Sequence, residues 1–357
     1  MHGYLVERHG GPEVLAWREL PEPVPGPCQV QVRVRACGLN HLDLWVRDGV
    51  AGHRFPLPLV PGSEVAGDVA AVGPGVEDLE VGRPVVVGAG VSCGHCPRCL
   101  AGEDWLCASF GLLGEHRDGG MAELVTVPRR NVLPLPRGLS YVEASATPLV
   151  FLTAWHMLAT RARLVAHEDV LLHAAGSGVT TAGIQIAKLL GARRIVVTSS
   201  QPWKLERALE LGATDGVDST DPDFPRRVRT ATGGRGVDVV FDHVGGDLLE
   251  RSFRCLAWGG RIVTCGATAS PTLTLPMRAV FFKSLAILGS TMGSLAELDH
   301  LLPWFESGAL RPIVAGTLPF PRLAEAHERL ATRSVFGKLV MTADAGALDV
   351  PRPREVV

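Results

Sequence analysis

An excess of either charge is missing from this chain: 35 Lys and Arg stand against 37 Asp and Glu in 357 residues. The net charge of −2 and a pI near 6.6 leave no electrostatic footprint for nucleic acid or an anionic membrane, so neither is expected as a partner. Long apolar runs are missing too. The richest stretches, such as residues 85–91, are strand-sized and broken by glycine, which argues against a membrane span. The start, Met1-His2-Gly3-Tyr4-Leu5-Val6-Glu7, lacks the charged-then-apolar order of a secretory signal. A cytoplasmic protein acting on a small molecule is the expectation. Repeats and low-complexity segments are absent as well. What is present is apolar mass: 46% hydrophobic residues and a mean hydropathy of +0.19. That suffices for packed cores, and the length favours two domains over one.

The first part of the chain reads as β-rich. Residues 30–36 alternate apolar and polar, as a half-buried strand does. Short valine-rich runs follow at 65–72 and 85–87, punctuated by Gly73-Pro74-Gly75 and Gly82-Arg83-Pro84. Close-spaced short strands predict a barrel-like or sandwich-like antiparallel unit. Near residue 150 the pattern changes. Strands are predicted at 170–174, 195–198, 237–241, 261–265 and 285–288, with helices at 180–190 and 204–211 among them. This alternation predicts an α/β, doubly wound parallel sheet. A helix over 295–305 and a strand at 337–341 follow, and the Pro- and Ala-containing tail at 343–357 is expected to fray.

Eight cysteines raise the question of disulfides, but four crowd into one loop. Cys93, Cys96, Cys99 and Cys107 have the spacing C-x₂-C-x₂-C-x₇-C. Four thiolates saturate a tetrahedral Zn²⁺ and leave no position for water or substrate, so the expectation is one structural zinc. His95 inside the loop leaves a Cys₃His set as the alternative.

The second motif runs Val170-Leu171-Leu172-His173-Ala174-Ala175-Gly176-Ser177-Gly178-Val179-Thr180-Thr181, a strand, a glycine turn and a helix start. Gly176 and Gly178 let backbone approach a pyrophosphate, and the helix N-terminus offers free N–H groups. Ser177, Thr180 and Thr181 add hydroxyls. The G-x-G-x-x-G template wants glycine at 181 and finds threonine, so an ordinary strand-to-helix turn is the competing reading. The next strand ends Ser199-Ser200, with Lys204 shortly after and no carboxylate to repel a 2′-phosphate. NADP(H) is therefore expected in preference to NAD(H).

These pieces, in this order, resemble the medium-chain dehydrogenase/reductase superfamily of zinc alcohol dehydrogenases and quinone oxidoreductases. The resemblance spans residues 1 to about 342. Besides the zinc loop and the nucleotide turn, it is carried by residues 10–15 (GGPEVL), 38–43 (GLNHLD), 61–67 (PGSEVAG), 185–188 (QIAK), 211–213 (LGA) and 336–340 (FGKLV). It implies a GroES-like catalytic domain over 1–150, a Rossmann domain over 151–287 and a return to the catalytic domain over 288–342. The family's active site lies in the cleft between the domains, and many members dimerise through the edge of the nucleotide sheet. A homodimer or homotetramer is the implied assembly. The resemblance also implies cofactor contacts at Thr153, Val179, Val244, Gly266, Ala267 and Lys338.

The departures from the family are specific. Its catalytic zinc ligands align with Asn40, Ser63 and Leu149, none of them Cys or His. The expected reaction is hydride transfer from NADP(H) to a quinone or an activated C=C or C=O, with no catalytic zinc. Asn40 and Ser63 are candidate hydrogen-bond donors to the developing oxyanion, and His41 a donor or proton relay, with Asp43 and Glu64 behind them. His41 touching the cofactor pyrophosphate, Ser63 filling volume and Asp43 capping a turn are the competing roles. A rearranged metal site from Cys37, His41, Asp43 and Glu64 would instead give an alcohol dehydrogenase, and a third reading is a non-enzymatic nucleotide-binding protein. A tyrosine acid is disfavoured, because Tyr4 and Tyr141 both lie away from the family's position near Val50. Trp45, Phe55, Leu57, Phe281 and Phe282 could line an apolar substrate pocket.

Overall fold

The alternating stretch at 30–36 forms the ten-residue strand Gln29–Gly38 in the computed structural model, which describes residues 1–343. Val30, Val32 and Val34 are buried while Arg33 between them is exposed, the burial that a period of two produces. This strand has three antiparallel partners: Glu64–Val72, Leu124–Pro128 and Lys338–Thr342. Pro84–Val87 and Val132–Pro134 extend the sheet on one side, and Val314–Pro319 runs parallel to Lys338–Thr342 on the other. Val30, Val65, Val85, Val125, Leu339 and Met341 share its core. The end of the described chain thus completes a sheet begun near residue 29.

The second sheet has six strands, all parallel. In space they run Asp215–Asp218, Arg194–Ser199, Asp169–Leu172, Val237–Asp242, Leu256–Thr264, Ala286–Gly289. Numbered along the chain this is the order 3-2-1-4-5-6, that of a dinucleotide-binding sheet, whose crevice opens at the carboxyl end of the first strand. Leu171, Val196, Val240 and Ile262 pack in its core. The helices predicted at 180–190, 204–211 and 295–305 appear as Gly178–Leu189, Pro202–Leu211 and Leu295–Glu306.

Two units result, Met1–Leu149 together with the chain from Ser294, and Val150–Gly293. One boundary read from the sequence needs correction. A cut at 287/288 would divide Ala286–Gly289, whose residues pair with Arg261–Thr264 in the parallel sheet. Its hydrogen bonds hold that strand in the nucleotide unit, so the chain leaves this unit after Gly293. The predicted tail lies, from residue 344 onward, outside the described residues. No described helix is long and apolar enough to cross a membrane.

Candidate active site

The four clustered cysteines converge as their spacing predicts. Cys93 Sγ lies 3.8 Å from Cys99 Sγ, and Cys96 Sγ lies 3.6 Å from it. A tetrahedron of sulfurs at the usual Zn–S length of about 2.3 Å has edges of about 3.8 Å, so the donor set fits Zn²⁺. His95 turns away, its Nδ1 2.9 Å from the Cys93 carbonyl, which leaves four thiols rather than Cys₃His.

Strand register assembles the second cluster. Gly38 pairs with Glu64 on one side and Val340 on the other, so Lys338 and Asn40 face each other just beyond the paired residues. Gly38 must be glycine here: a Cβ would sit 2.4 Å from the Ser145 carbonyl and 2.8 Å from Glu64 Oε2. Asn40 caps the helix His41–Asp48. Asp43, one turn in, accepts the N–H groups of Asn40 at 2.7 Å and Gly62 at 3.0 Å. Burial raises its pKa to about 6, against the opposing pull of those N–H groups and Lys338.

Lys338 is the centre of this cluster. Its ammonium is 2.5 Å from Glu64 Oε2 and donates to Asn40 Oδ1 at 2.6 Å and to the Leu39 carbonyl. Three donors meet three acceptors, at 4% side-chain exposure. The cofactor contact expected of Lys338 is thereby corrected, because no N–H of the ammonium is left to offer a phosphate. Asn40 is corrected for a related reason. Its amide nitrogen donates to Glu64 Oε2 at 3.2 Å and, at 3.4 Å, to the Gly38 carbonyl, so it has no uncommitted N–H for an oxyanion. Ser63 is fully buried and donates its hydroxyl to the Leu113 carbonyl at 2.7 Å, so it too is no oxyanion donor.

Of the three, His41 differs: it is half-buried, and its imidazole makes no hydrogen bond among the described residues. Burial and the positive charges of Arg333 and Lys338 push its pKa below the usual histidine value, so it is neutral at pH 7. The position of Leu149 offers an aliphatic side chain, and its backbone N–H is bound to Glu64 Oε1 at 2.8 Å. A zinc in the family's catalytic position does not fit these residues: the aligned side chains are an engaged amide, an engaged hydroxyl and an alkyl group beside an ammonium. Nor do Cys37, His41, Asp43 and Glu64 converge into a metal-holding group. Trp45, Phe55 and Leu57 pack together with Val6, Val46 and Leu59, whereas Phe281 and Phe282 are exposed and stacked on each other at 4.9 Å.

The nucleotide turn is built within the other unit. Ser177 caps the helix Gly178–Leu189 and accepts the Thr180 N–H at 3.2 Å, leaving the first helical N–H groups, those of Gly178 and Val179, without intrahelical acceptors. Gly183, not residue 181, meets the sheet: a Cβ there would lie 2.8 Å from Leu172 Cδ2. Sequence reading missed His243, whose Nε2 is 3.0 Å from Ser177 Oγ and 3.1 Å from Thr180 Oγ1. Nothing local marked it, since it follows a different strand. Ser199 is buried, Ser200 exposed, and the Lys204 ammonium lies 5.3 Å from the Trp203 ring centroid. The Val244 N–H donates to Asp242 at 3.2 Å, Gly266 accepts from Thr264 at 3.0 Å with Ala267 next to it, and Thr153 lies against Met292 Sδ at 3.7 Å. All these groups lie in the Val150–Gly293 unit, and Lys338 does not.

Comparison with known proteins agrees with this architecture. Residues 26–137 match the family of the alcohol dehydrogenase GroES-like domain, and residues 178–307 match that of zinc-binding dehydrogenase. A quinone oxidoreductase of Pseudomonas aeruginosa is 32% identical over 345 residues, covering 93% of this chain and 97% of its own. The chain belongs to the medium-chain dehydrogenase/reductase superfamily. A 2-haloacrylate reductase of a Burkholderia species is 31% identical, over 96% of this chain and 98% of its own. Among solved structures, one described as an NAD-dependent alcohol dehydrogenase superposes with a TM-score of 0.93 at 49% identity, over 96% of this chain and 100% of that one. This superfamily member is an NAD(P)H-dependent oxidoreductase with a four-cysteine site suited to structural zinc.

Proposed function

We propose that this enzyme reduces quinones or activated C=C and C=O groups with NADP(H), and does so without a catalytic zinc. The observation that carries the reading is the buried Lys338 ammonium, bound to Glu64 and Asn40 beside the positions where zinc-dependent relatives hold their ligands. Relatives named as quinone oxidoreductases and a 2-haloacrylate reductase support the substrate class. When bound, the cofactor supplies a hydride from nicotinamide C4, and the substrate oxygen or enolate then gains negative charge. His41 is the residue left to meet that charge, because Asn40 and Ser63 are committed to the protein. As a neutral imidazole it has one N–H to donate, with solvent restoring the proton.

For the cofactor, Gly176, Ser177, Gly178, Val179 and Thr180 would hold the pyrophosphate, and Ser199, Ser200 and Lys204 the adenosine ribose end. The absence of a carboxylate on the strand end supports NADP(H). A relative described as NAD-dependent makes the comparison necessary: kcat/KM is expected to favour NADPH over NADH, and the reverse order ends this assignment. A homodimer or tetramer is proposed through the edge strand Ala286–Gly289, where Ile287, Phe281 and Phe282 are exposed. Cysteine used for a metal site rather than for disulfides supports a reducing, cytoplasmic compartment.

The test is kinetic. His41→Gln is expected to lower kcat by about 10²-fold or more on a quinone or enone, with the KM for NADPH little changed. A rise in cofactor KM with kcat intact would assign His41 to the pyrophosphate instead. After brief chelation of weakly held metal, zinc analysis of the same sample is expected to give one tightly bound ion per chain.

A further inference from the structure

A second convergence of ligand-type side chains lies apart from both the cysteine loop and the Lys338 cluster. His53, Glu115 and His116 bring one ligand atom each to within 4.8 Å of one another. His53 belongs to the loop after the helix His41–Asp48, and Glu115 and His116 to the turn after the short strand Gly111–Leu112. We propose that these three residues form a binding site for a borderline divalent cation of the Zn²⁺ type, distinct from the four-cysteine site.

Geometry supports a shared ion over simple ion pairs. His53 Nε2 is 3.4 Å from Glu115 Oε1, and His116 Nδ1 is 3.6 Å from Glu115 Oε2. These exceed the usual 2.7–3.2 Å of a hydrogen bond. One ligand atom from each of the three residues already lies within 4.8 Å of the others, and a small closure of the side chains brings them to the separation of about 3.4 Å between two ligands on one tetrahedral zinc with bonds of about 2.0–2.1 Å. The Glu115 side chain is only 14% exposed, and its carboxylate accepts no hydrogen bond among the described residues. A largely desolvated carboxylate flanked by two imidazoles at that spacing calls for a cation. Two imidazole nitrogens and one carboxylate oxygen suit zinc, nickel or copper rather than magnesium or calcium.

The ligands are held in place by the fold. The His53 ring packs edge-on against buried Phe55 at 4.4 Å. Gly114, at φ +75°, is pressed on Gly62, where a Cβ would lie 2.5 Å from the Gly62 nitrogen. The Gly114 N–H is donated to the Arg117 carbonyl at 2.7 Å, and the Val60 N–H to Asp118 Oδ1 at 2.9 Å, which ties the turn to its neighbour. One cost is visible: the ion must take the His116 Nδ1 lone pair from the Leu112 N–H, 3.2 Å away. Binding is therefore weaker than at four thiolates, and three ligands leave a fourth position for water or an anionic group.

The test uses the whole protein, its four-cysteine zinc in place and weakly held metal removed by brief chelation. Calorimetric titration with Zn²⁺ is expected to show one further equivalent per chain and a rise in Tm. Both are expected to vanish in His53→Ala and in Glu115→Gln, while tightly bound zinc stays at one per chain, which shows that the variants fold. Cu²⁺ bound at the site of the parent protein is expected to give an EPR spectrum with two coupled imidazole nitrogens, a spectrum that is absent in His53→Ala. No added equivalent in the parent protein, or the same equivalent in both variants, overturns the proposal.

Discussion

Two positions in the same unit, both metal sites in the superfamily's zinc enzymes, have met different fates. In the loop at 93–107 four thiols converge within 4.8 Å of one another, Cys99 Sγ lying 3.8 Å and 3.6 Å from those of Cys93 and Cys96. Around Glu64 the ligand-type side chains are replaced, and a lysine ammonium is bonded to what remains. Both arrangements answer one electrostatic demand. A buried anionic group must be compensated, by an ion from solution or by a cation carried in the sequence. The first solution makes folding depend on metal supply; the second builds the charge into the last described strand.

The largest expected effect breaks the first solution. Cys99→Ser removes one of four ligands, and tightly bound zinc is expected to fall from one per chain to near zero. Stability should fall by several kcal/mol, since the loop between Cys93 and Cys107 has short helices but little core of its own. Metal analysis and thermal unfolding check this. Unchanged stability after zinc loss would show that the loop is held by something other than the ion.

Breaking the second solution comes next. Lys338→Met leaves Glu64 buried at 0% side-chain exposure with its cation gone, at an expected cost of about 3–5 kcal/mol. Adding Glu64→Gln to this variant should restore a large part of that loss, because the uncompensated charge is then removed. A double-mutant cycle in denaturant measures the coupling. Additive losses would mean that the pair does not compensate charge as described.

The same contrast explains what could be read in advance. The cysteine loop was legible because its ligands lie within fifteen residues and their spacing alone sets the chemistry. The doubly wound sheet was legible from alternating strand and helix patterns. The Lys338 cluster was not, because Lys338 and Asn40 are 298 residues apart and meet only through the register of two strands with Gln29–Gly38. Local motif matching therefore assigned Lys338 to the cofactor and Asn40 and Ser63 to catalysis. Local matching does not register that the hydrogen bonds of these side chains are already made within the protein. Gly183 and His243 were missed for a similar reason: one acts through contact with Leu172, the other through a turn more than sixty residues away.

Acid should move the two sites in opposite directions. Protonating thiolates releases zinc and destabilises the loop. Asp43 behaves oppositely, because its folded pKa of about 6 lies above the unfolded value of about 3.9. The folded state then binds the proton more tightly. Stability from Asp43 is full below the unfolded value and is lost as pH rises through 6. Between pH 6 and 4 the gain on acidification is about 1.4 kcal/mol per unit. Denaturant unfolding of the parent and Asp43→Asn at pH 6.5 and 5 isolates this contribution. An identical pH slope in both proteins would contradict it.

The smallest effect separates a retained role from a vacated one. Ser63 stands where a zinc enzyme of the superfamily carries histidine, yet its hydroxyl is given to the Leu113 carbonyl 2.7 Å away. Ser63→Ala removes that bond and leaves a buried acceptor, which should cost about 1 kcal/mol. If the hydroxyl only ties Leu113 in place, kcat and the KM for substrate stay within about twofold, because no transition-state contact is lost. If Ser63 instead leaves Leu113 to donate to the developing oxyanion, kcat falls by about 10²-fold while stability changes little. The ratio of the two losses in this one variant therefore decides whether the vacated ligand position now serves the fold or the reaction.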